Sequence, residues 1–413
     1  MFLRKYLSNI LLFIVNQYLK LRGNLAQKET DTLAFIPHGG MYANGYDLFN
    51  YKSDNCLAFL HYLIERFGSK YKYRLACDIR QYDELSKRIK SELPDIDIKC
   101  FPFFGLNLRP AHYQELMRSS VIFTAEAYPL PFKSPEQKVV FLSYFIPFKD
   151  DYNNHHNVDH ENYDGLFDLC VSSSLIYSNI VAHTYSVEFG KFKVLGFPRD
   201  DELITTKACP ALEDEIRKAV DYEVKKVFLY SPTHRDYEER SDTKRSVLGF
   251  ELDKARMEQF LRESGILIIC KLHSHQNEAV ISHDMPHGMM IHQSTNSYGL
   301  CELMQRADVL ITDYTSTYFD YLLLDRPVLF NFYDYQVYQE TRGFSYDPLK
   351  PILAGDVFTD ETSFYETCNQ LLKGEDKYGE KRRWVRDLQH KYTDANASER
   401  IYNYLVEHKV LLG

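Results

Sequence analysis

Short apolar runs and stretches of helical apolar spacing alternate along almost the whole chain. Runs rich in β-branched and aromatic residues at Thr32 to Pro37, Tyr73 to Cys77, Ile96 to Phe101, Val121 to Ala125, Val139 to Tyr144 and Leu166 to Ser172 predict strands. Between them, Cys56 to Phe67, Asp83 to Leu93, Ala111 to Arg118 and Leu175 to Thr184 predict helices. A turn-rich segment, Gly190 to Asp201, breaks the pattern before it starts afresh. The second set of strands is expected at Val227 to Ser231, Ile266 to Leu272, Met289 to Gln293, Val309 to Asp313 and Val328 to Phe332, with helices at Lys254 to Glu263, Tyr298 to Ala307 and Ser316 to Leu324. Such alternation builds parallel, doubly wound α/β sheets. The break near residue 195 implies two Rossmann-like halves, 23–195 and 196–390. A final segment, 391–413, carries a helical stretch, Ala397 to His408, that could cross back onto the first half.

Length agrees with two domains, because 413 residues exceed what one hydrophobic core usually holds. A formal charge of -9 argues against general nucleic-acid binding, which needs a basic face. The eight cysteines are scattered through apolar runs with no CxxC pair, so they read as buried thiols of a reducing compartment, and neither a zinc site nor another metal is expected.

The first 22 residues intersperse Leu3, Leu7, Ile10, Leu11, Phe13, Ile14 and Leu21 with Arg4, Lys5, Lys20 and Arg22. The apolar run Ile10 to Val15 is too short to span a bilayer, and no small-residue cleavage site follows it. Two readings stay open: an interfacial helix lying on a membrane surface, and a helix packed on the body of the protein.

In open α/β sheets, ligands lie beyond the carboxyl ends of the strands. Three second-half strands end in chemistry-bearing groups. The strand Val309 to Asp313 ends on its acid and runs into Tyr314, Thr315 and Ser316, where two hydroxyls are placed to cap the following helix and gather N–H groups into an anion site. Val227 to Ser231 runs into Thr233, His234, Arg235 and Asp236, and Ile266 to Leu272 carries Lys271 near its end and runs into His273 and His275. Arg235 offers a planar fork for phosphate, Lys271 a point charge and His273 a protonatable donor, so the set is suited to a pyrophosphate. Asp313 is expected to orient the loop, since a carboxylate beside a pyrophosphate would be repelled.

The segments Phe228 to Asp236, Lys271 to His273, Ala307 to Tyr321, Arg326 and Pro327 with Tyr333 and Asp334, and Arg342 to Phe344 resemble the ordered motifs of the CDP-glycerol glycerophosphotransferase family of teichoic acid and capsule synthesis. Gly196 to Asp201, Asp394 to Arg400 and, more weakly, Asn50 to Asn55 extend the resemblance. It implies a GT-B-like fold, two Rossmann-like domains with parallel sheets facing a central cleft. The implied activity is transfer of a polyol phosphate from a CDP-activated donor to a hydroxyl of a lipid-linked or polymeric glycan, with CMP released and no cofactor. The phosphate-contacting positions would be Arg235, His273, Thr315 and Ser316, with Asp313, Asp320 and Arg342 orienting the site. The implied location is the cytoplasm, at the inner face of a bacterial membrane.

One departure concerns the base. Where the family carries a Trp-His-Gly-Thr-Pro-Leu-Lys motif, this chain reads Ser143 Tyr144 Phe145 Ile146 Pro147 Phe148 Lys149, with Tyr144 at the position of the His. A tyrosine with a pKa near ~10 is a poor base at neutral pH. His38, directly after the first predicted strand, is the replacement candidate, with a structural loop role as its alternative; His155 and His156 are further options. A nucleotide-sugar glycosyltransferase and a catalytically silent nucleotide-binding member remain the rival readings.

Overall fold

The computed structural model describes residues 15–38, 54–104, 113–128, 130, 132–143, 148, 163–205, 207–233, 246–272, 285–292 and 298–412. Thirteen described strands form two sheets. The first contains β1 (Glu29–Ile36), β2 (Lys72–Asp78), β3 (Ile98–Phe104), β4 (Ser119–Thr124), β5 (Lys138–Phe141), β6 (Leu169–Ser172) and β7 (Phe192–Val194) in the order β3-β2-β1-β4-β5-β6-β7. The second contains β8 (Lys226–Ser231), β9 (Ile266–Cys270), β10 (Met289–Ile291), β11 (Val309–Thr312), β12 (Val328–Asn331) and β13 (Asp356–Phe358) in the order β10-β9-β8-β11-β12-β13. Every pairing in both is parallel. Each sheet therefore runs outward from a central strand, returns, and runs outward the other way, leaving a topological switch point between β1 and β4 and another between β8 and β11. The architecture is the expected α/β, GT-B-like one.

The central strands are covered by helices on both faces, which is why they read as unbroken apolar runs. All five residues of β9, Ile266 to Cys270, are buried, as are Leu33 to Ile36 of β1. Polar side chains fix where helices begin: Asp54 accepts from Leu57 N, Ser174 from Tyr177 N, and Asp253 from Arg256 N. No described helix is long and apolar enough to cross a membrane. None of the eight cysteines is in a disulfide, and seven of them are buried.

Two strands escape the apolar pattern. β7 lies inside the segment read as turns, and β13 pairs only at the sheet edge; each has a charged residue among its three, Lys193 and Asp356, so neither reads as an apolar run as the equally short β10 does. Helices Pro198–Ile204, Pro210–Ala219, Tyr335–Thr341, Glu361–Leu372 and Gly379–Gln389 were likewise absent from the expected set.

Residues 15–25 form a helix. One side of it packs on the first half through Leu19 and Gly23, where a Cβ on Gly23 would stand 1.9 Å from the carbonyl oxygen of Phe132. The opposite side presents Tyr18, Leu21 and Leu25, which are 47%, 56% and 73% exposed.

The junction between the sheets is a hub. Gly196 takes φ +85°, and a Cβ there would press on Ala397 and Arg400 of the last helix, Ala397–Glu407. Asp201 receives Ala397 N at 2.7 Å and Ser398 N at 2.8 Å, and so caps that helix from a distance in sequence. The same helix lies against the first half, with Tyr402 stacked on Phe67 at 4.2 Å. Arg199 is buried and paired with Asp320 at 2.9 Å, while its backbone N–H donates to Asn55 Oδ1 at 3.1 Å. His390 sits between Asp200 Oδ2 at 3.4 Å and the carbonyl of Phe319 at 3.1 Å.

Candidate active site

The second switch point is a locked loop. β11 and β8 run side by side with Thr312 opposite Ser231, and the residues just beyond them are tied together by one carboxylate. Asp313, buried, accepts the Thr233 N–H at 2.9 Å on both oxygens, the Thr233 hydroxyl at 2.8 Å and the Tyr314 N–H at 2.5 Å. These donors engage the carboxylate as an internal brace between two loops. Tyr314 continues the bracing: its ring stacks on Tyr338 at 4.0 Å and Phe332 at 4.8 Å, and its hydroxyl donates to Asp334 at 3.2 Å.

The helix that follows differs from the sequence expectation. It spans only Thr317–Tyr321, and Ser316, at its N-cap, makes no side-chain cap bond. Thr315 supplies a long contact instead, its Oγ1 lying 3.4 Å from Thr317 N. The expected double hydroxyl cap is therefore not formed, because Ser316 takes helical torsions (φ −61°, ψ −19°) rather than the extended ones of a capping residue. Asp320 lies on the helix side bound to the linker and meets Arg199; burial pushes its pKa up while Arg199 opposes the shift. Arg342 terminates the helix Tyr335–Thr341 beside the aromatic cluster.

Lys271 directly follows β9, its backbone N–H bonded to Tyr230 O at 2.8 Å. Near it, at the end of β10, sits His292, buried, whose pKa falls to about 4 through desolvation and the positive charge of Lys271. His292 is thus a neutral imidazole at pH 7; it was not among the expected site residues, although its place directly after an apolar run was visible. Arg235, His273 and His275, like Tyr144, His155 and His156, lie outside the described residues.

The first switch point carries a different chemistry. His38 stands two residues beyond β1 and Glu126 two beyond β4, and His38 Nε2 lies 2.5 Å from Glu126 Oε1. The Tyr128 hydroxyl donates to the other carboxylate oxygen of Glu126, and Thr124 fixes the turn by donating to the Glu126 carbonyl at 2.6 Å. Asp54 receives the His38 backbone N–H at 3.1 Å while capping the helix Asn55–Phe67; burial raises its pKa. Asn55 then reaches Leu142 O at 3.0 Å and Ser143 O at 2.8 Å, and accepts from Arg199. Sequence reading singled out His38 but not Glu126, because the partner comes from a strand some ninety residues away.

The two carboxyl-end regions meet. Phe148, beyond β5, packs on Phe319 at 5.5 Å and Phe344 at 6.1 Å, and Ser345 N donates to Phe148 O at 3.0 Å. Among the described residues, no group of three or more potential metal ligands occurs.

Two doubly wound sheets with their carboxyl ends in contact, one bearing a braced loop and the other a His–Glu pair, define a protein of the GT-B architecture. The sequence model of the CDP-Glycerol:Poly(glycerophosphate) glycerophosphotransferase family matches residues 96–407, and the chain belongs to that family. It is 26% identical over 239 residues to the teichoic acid glycerol-phosphate primase of Bacillus subtilis (strain 168), covering 58% of this chain and 57% of that protein. It is 26% identical over 238 residues to the teichoic acid glycerol-phosphate transferase of Staphylococcus aureus (strain NCTC 8325 / PS 47), covering 57% and 59%. The chain thus spans little more than half the length of these curated relatives. Among solved structures, the wall teichoic acid polymerase TagF superposes with a TM-score of 0.72 at 20% identity, covering 98% of this chain and 96% of that one. A UDP-GlcNAc 2-epimerase from Neisseria meningitidis, bound to UDP-GlcNAc, superposes with a TM-score of 0.52 at 13% identity, covering 91% and 100%. At these identities the structural likeness establishes the fold alone.

Proposed function

We propose that the chain transfers a polyol phosphate, glycerol phosphate or ribitol phosphate, from a CDP-activated donor to a hydroxyl of a lipid-linked or polymeric glycan in teichoic acid-like or capsule polymer synthesis. The acceptor oxygen bonds to the phosphorus distal to cytidine, the P–O bond to CMP breaks, and the acceptor proton passes to a base. The observation that carries this reading is the Asp313 brace, which ties the loop of Thr315 and Ser316 to Thr233 just beyond β8, the strand paired with β9; in sequence, Arg235 follows β8, and Lys271 and His273 follow β9. Positive groups and N–H donors gathered there would bind the pyrophosphate and stabilise the charge that develops on it. His38 is the base in this scheme, and no cofactor is needed. Family membership supports the choice of donor, since the relatives named above act in glycerol-phosphate transfer and another, of Staphylococcus aureus, is a ribitol-phosphate polymerase.

The decisive assay incubates the protein with CDP-glycerol, CDP-ribitol and common nucleotide sugars in the presence of a polymer acceptor. Release of CMP from a CDP-polyol is expected; release of UDP or GDP instead would make the protein a glycosyltransferase, and no release from any donor would make it a silent member.

The same proposal places the protein at the inner face of the cytoplasmic membrane. Tyr18, Leu21 and Leu25 share the outward side of the first helix, with Lys20 and Arg22 beside them, the arrangement of an interfacial helix. Sedimentation with anionic vesicles is expected for the wild type and lost in Leu21→Glu/Leu25→Glu.

A further inference from the structure

The His38–Glu126 contact joins the ends of β1 and β4, the two strands that flank the first switch point, where ligands of such sheets bind. The carboxylate has both oxygens engaged, one by the imidazole and one by the Tyr128 hydroxyl, and that hydroxyl also lies 3.4 Å from Pro37 O. The imidazole is held from the backbone as well, through Asp54. Among the described residues, the titratable groups set against His38 are therefore Glu126 and Tyr128 from the segment after β4 and Asp54 from the start of the helix Asn55–Phe67.

We infer that Glu126 is the positioning residue of the catalytic base, forming with His38 a carboxylate–imidazole pair that takes the role a histidine beyond β5 would otherwise fill. This rests on the reading of His38 as the base. A carboxylate on one ring nitrogen fixes the tautomer, orients the ring and stabilises the imidazolium that forms when the other nitrogen takes a proton. With Nε2–H on Glu126, proton acceptance falls to the other ring nitrogen, Nδ1. As the acceptor oxygen bonds to phosphorus and the electron pair of the breaking P–O bond leaves with CMP, the hydroxyl proton moves to Nδ1. Glu126 then faces a full positive charge. Tyr128 keeps the carboxylate aimed by occupying its second oxygen.

The pair has a specific signature. Glu126→Gln keeps the size of the side chain and removes its charge. It is expected to lower kcat by about 10- to 100-fold, as loss of an orienting carboxylate does, with the KM for the CDP-polyol unchanged. The acidic limb of the kcat–pH profile should move to lower pH, because an imidazole without its anion gives up its proton more readily. Glu126→Asp should recover most of the rate. Tyr128→Phe, which removes one hydroxyl and keeps the ring, should move kcat and the limb in the same direction by less, and it serves as the second variant should Glu126→Gln fold poorly. Wild-type kcat and an unmoved limb in both variants overturn the assignment, as does a loss of rate matched by loss of thermal stability with no change in the profile.

An NMR titration of the His38 ring in the full-length protein, with and without Glu126→Gln, separates this inference from the activity on which it rests. If no CDP-polyol turns over and the ring still titrates at lower pH in the variant, the pair stands and the transferase reading fails. An identical titration in both proteins removes the pair whatever the activity.

Discussion

The two switch points of this molecule solve the same topological problem with opposite uses of a carboxylate. Beyond β8 and β11, Asp313 is buried and spends its oxygens on backbone N–H groups and a hydroxyl, so it acts as a brace between loops. Beyond β1 and β4, Glu126 is partly exposed and turns to an imidazole, so it acts on a group that can carry a proton. Sheet order alone does not assign chemistry; what the carboxylate touches does. A site for binding an anion needs rigid bracing around cationic side chains, whereas a site that moves a proton needs a titratable pair that can meet the reactant.

The contrast breaks most sharply at His38. His38→Gln is expected to lower kcat by about 10²- to 10⁴-fold, the usual loss for a general base, while isothermal titration finds donor affinity unchanged. Turnover at the wild-type rate would return both switch points to a binding role. Next in size is the hub that holds the two together: Arg199→Met leaves Asp320 buried without its partner and should cost about 3–5 kcal/mol in denaturant unfolding, part of it recovered in Arg199→Met/Asp320→Leu.

His292 tests the electrostatics of the second half. Its pKa is about 4 in the folded state against an ordinary value near 6.5, so the unfolded chain binds the extra proton first as pH falls. Stability is therefore whole above pH ~6.5 and declines toward pH ~4, by about 3 kcal/mol from this residue. Unfolding of His292→Asn followed across that range should show a shallower acid decline than the wild type.

Arg235→Ala and His273→Ala should each lower activity by about 10²-fold or more, through weaker handling of the pyrophosphate charge. Unchanged rates in both would move the donor site elsewhere. The smallest effect is expected at the brace. Asp313→Asn faces Thr233 N–H with an amide that can no longer accept on both sides, costing about 1–3 kcal/mol in thermal unfolding and raising the donor KM. A change in kcat alone would erase the distinction between brace and reactive pair.

Much of the scaffold was legible because parallel strands buried on both faces must be apolar throughout, as Ile266 to Cys270 are. The short edge strands β7 and β13 were not, since Lys193 and Asp356 interrupt their three residues, whereas the equally short β10 is wholly apolar. The loop beyond β11 announced itself through an acid followed by hydroxyls, but the role of Ser316 depended on backbone torsions that residue type does not dictate. The motif Gly196 to Asp201 was noticed without its work being apparent. Its residues act at long range, Arg199 on Asp320, Asp200 on His390 and Asp201 on the last helix.

By itself, the sequence determined the two α/β halves, the family and the three strand ends on which donor chemistry is proposed, because burial pattern and local motif order are written along the chain. Only the tertiary structure decided that Asp313 braces, that the junction is a charged hub, and that Glu126 meets His38. Those contacts join residues that strand order, not chain order, makes neighbours.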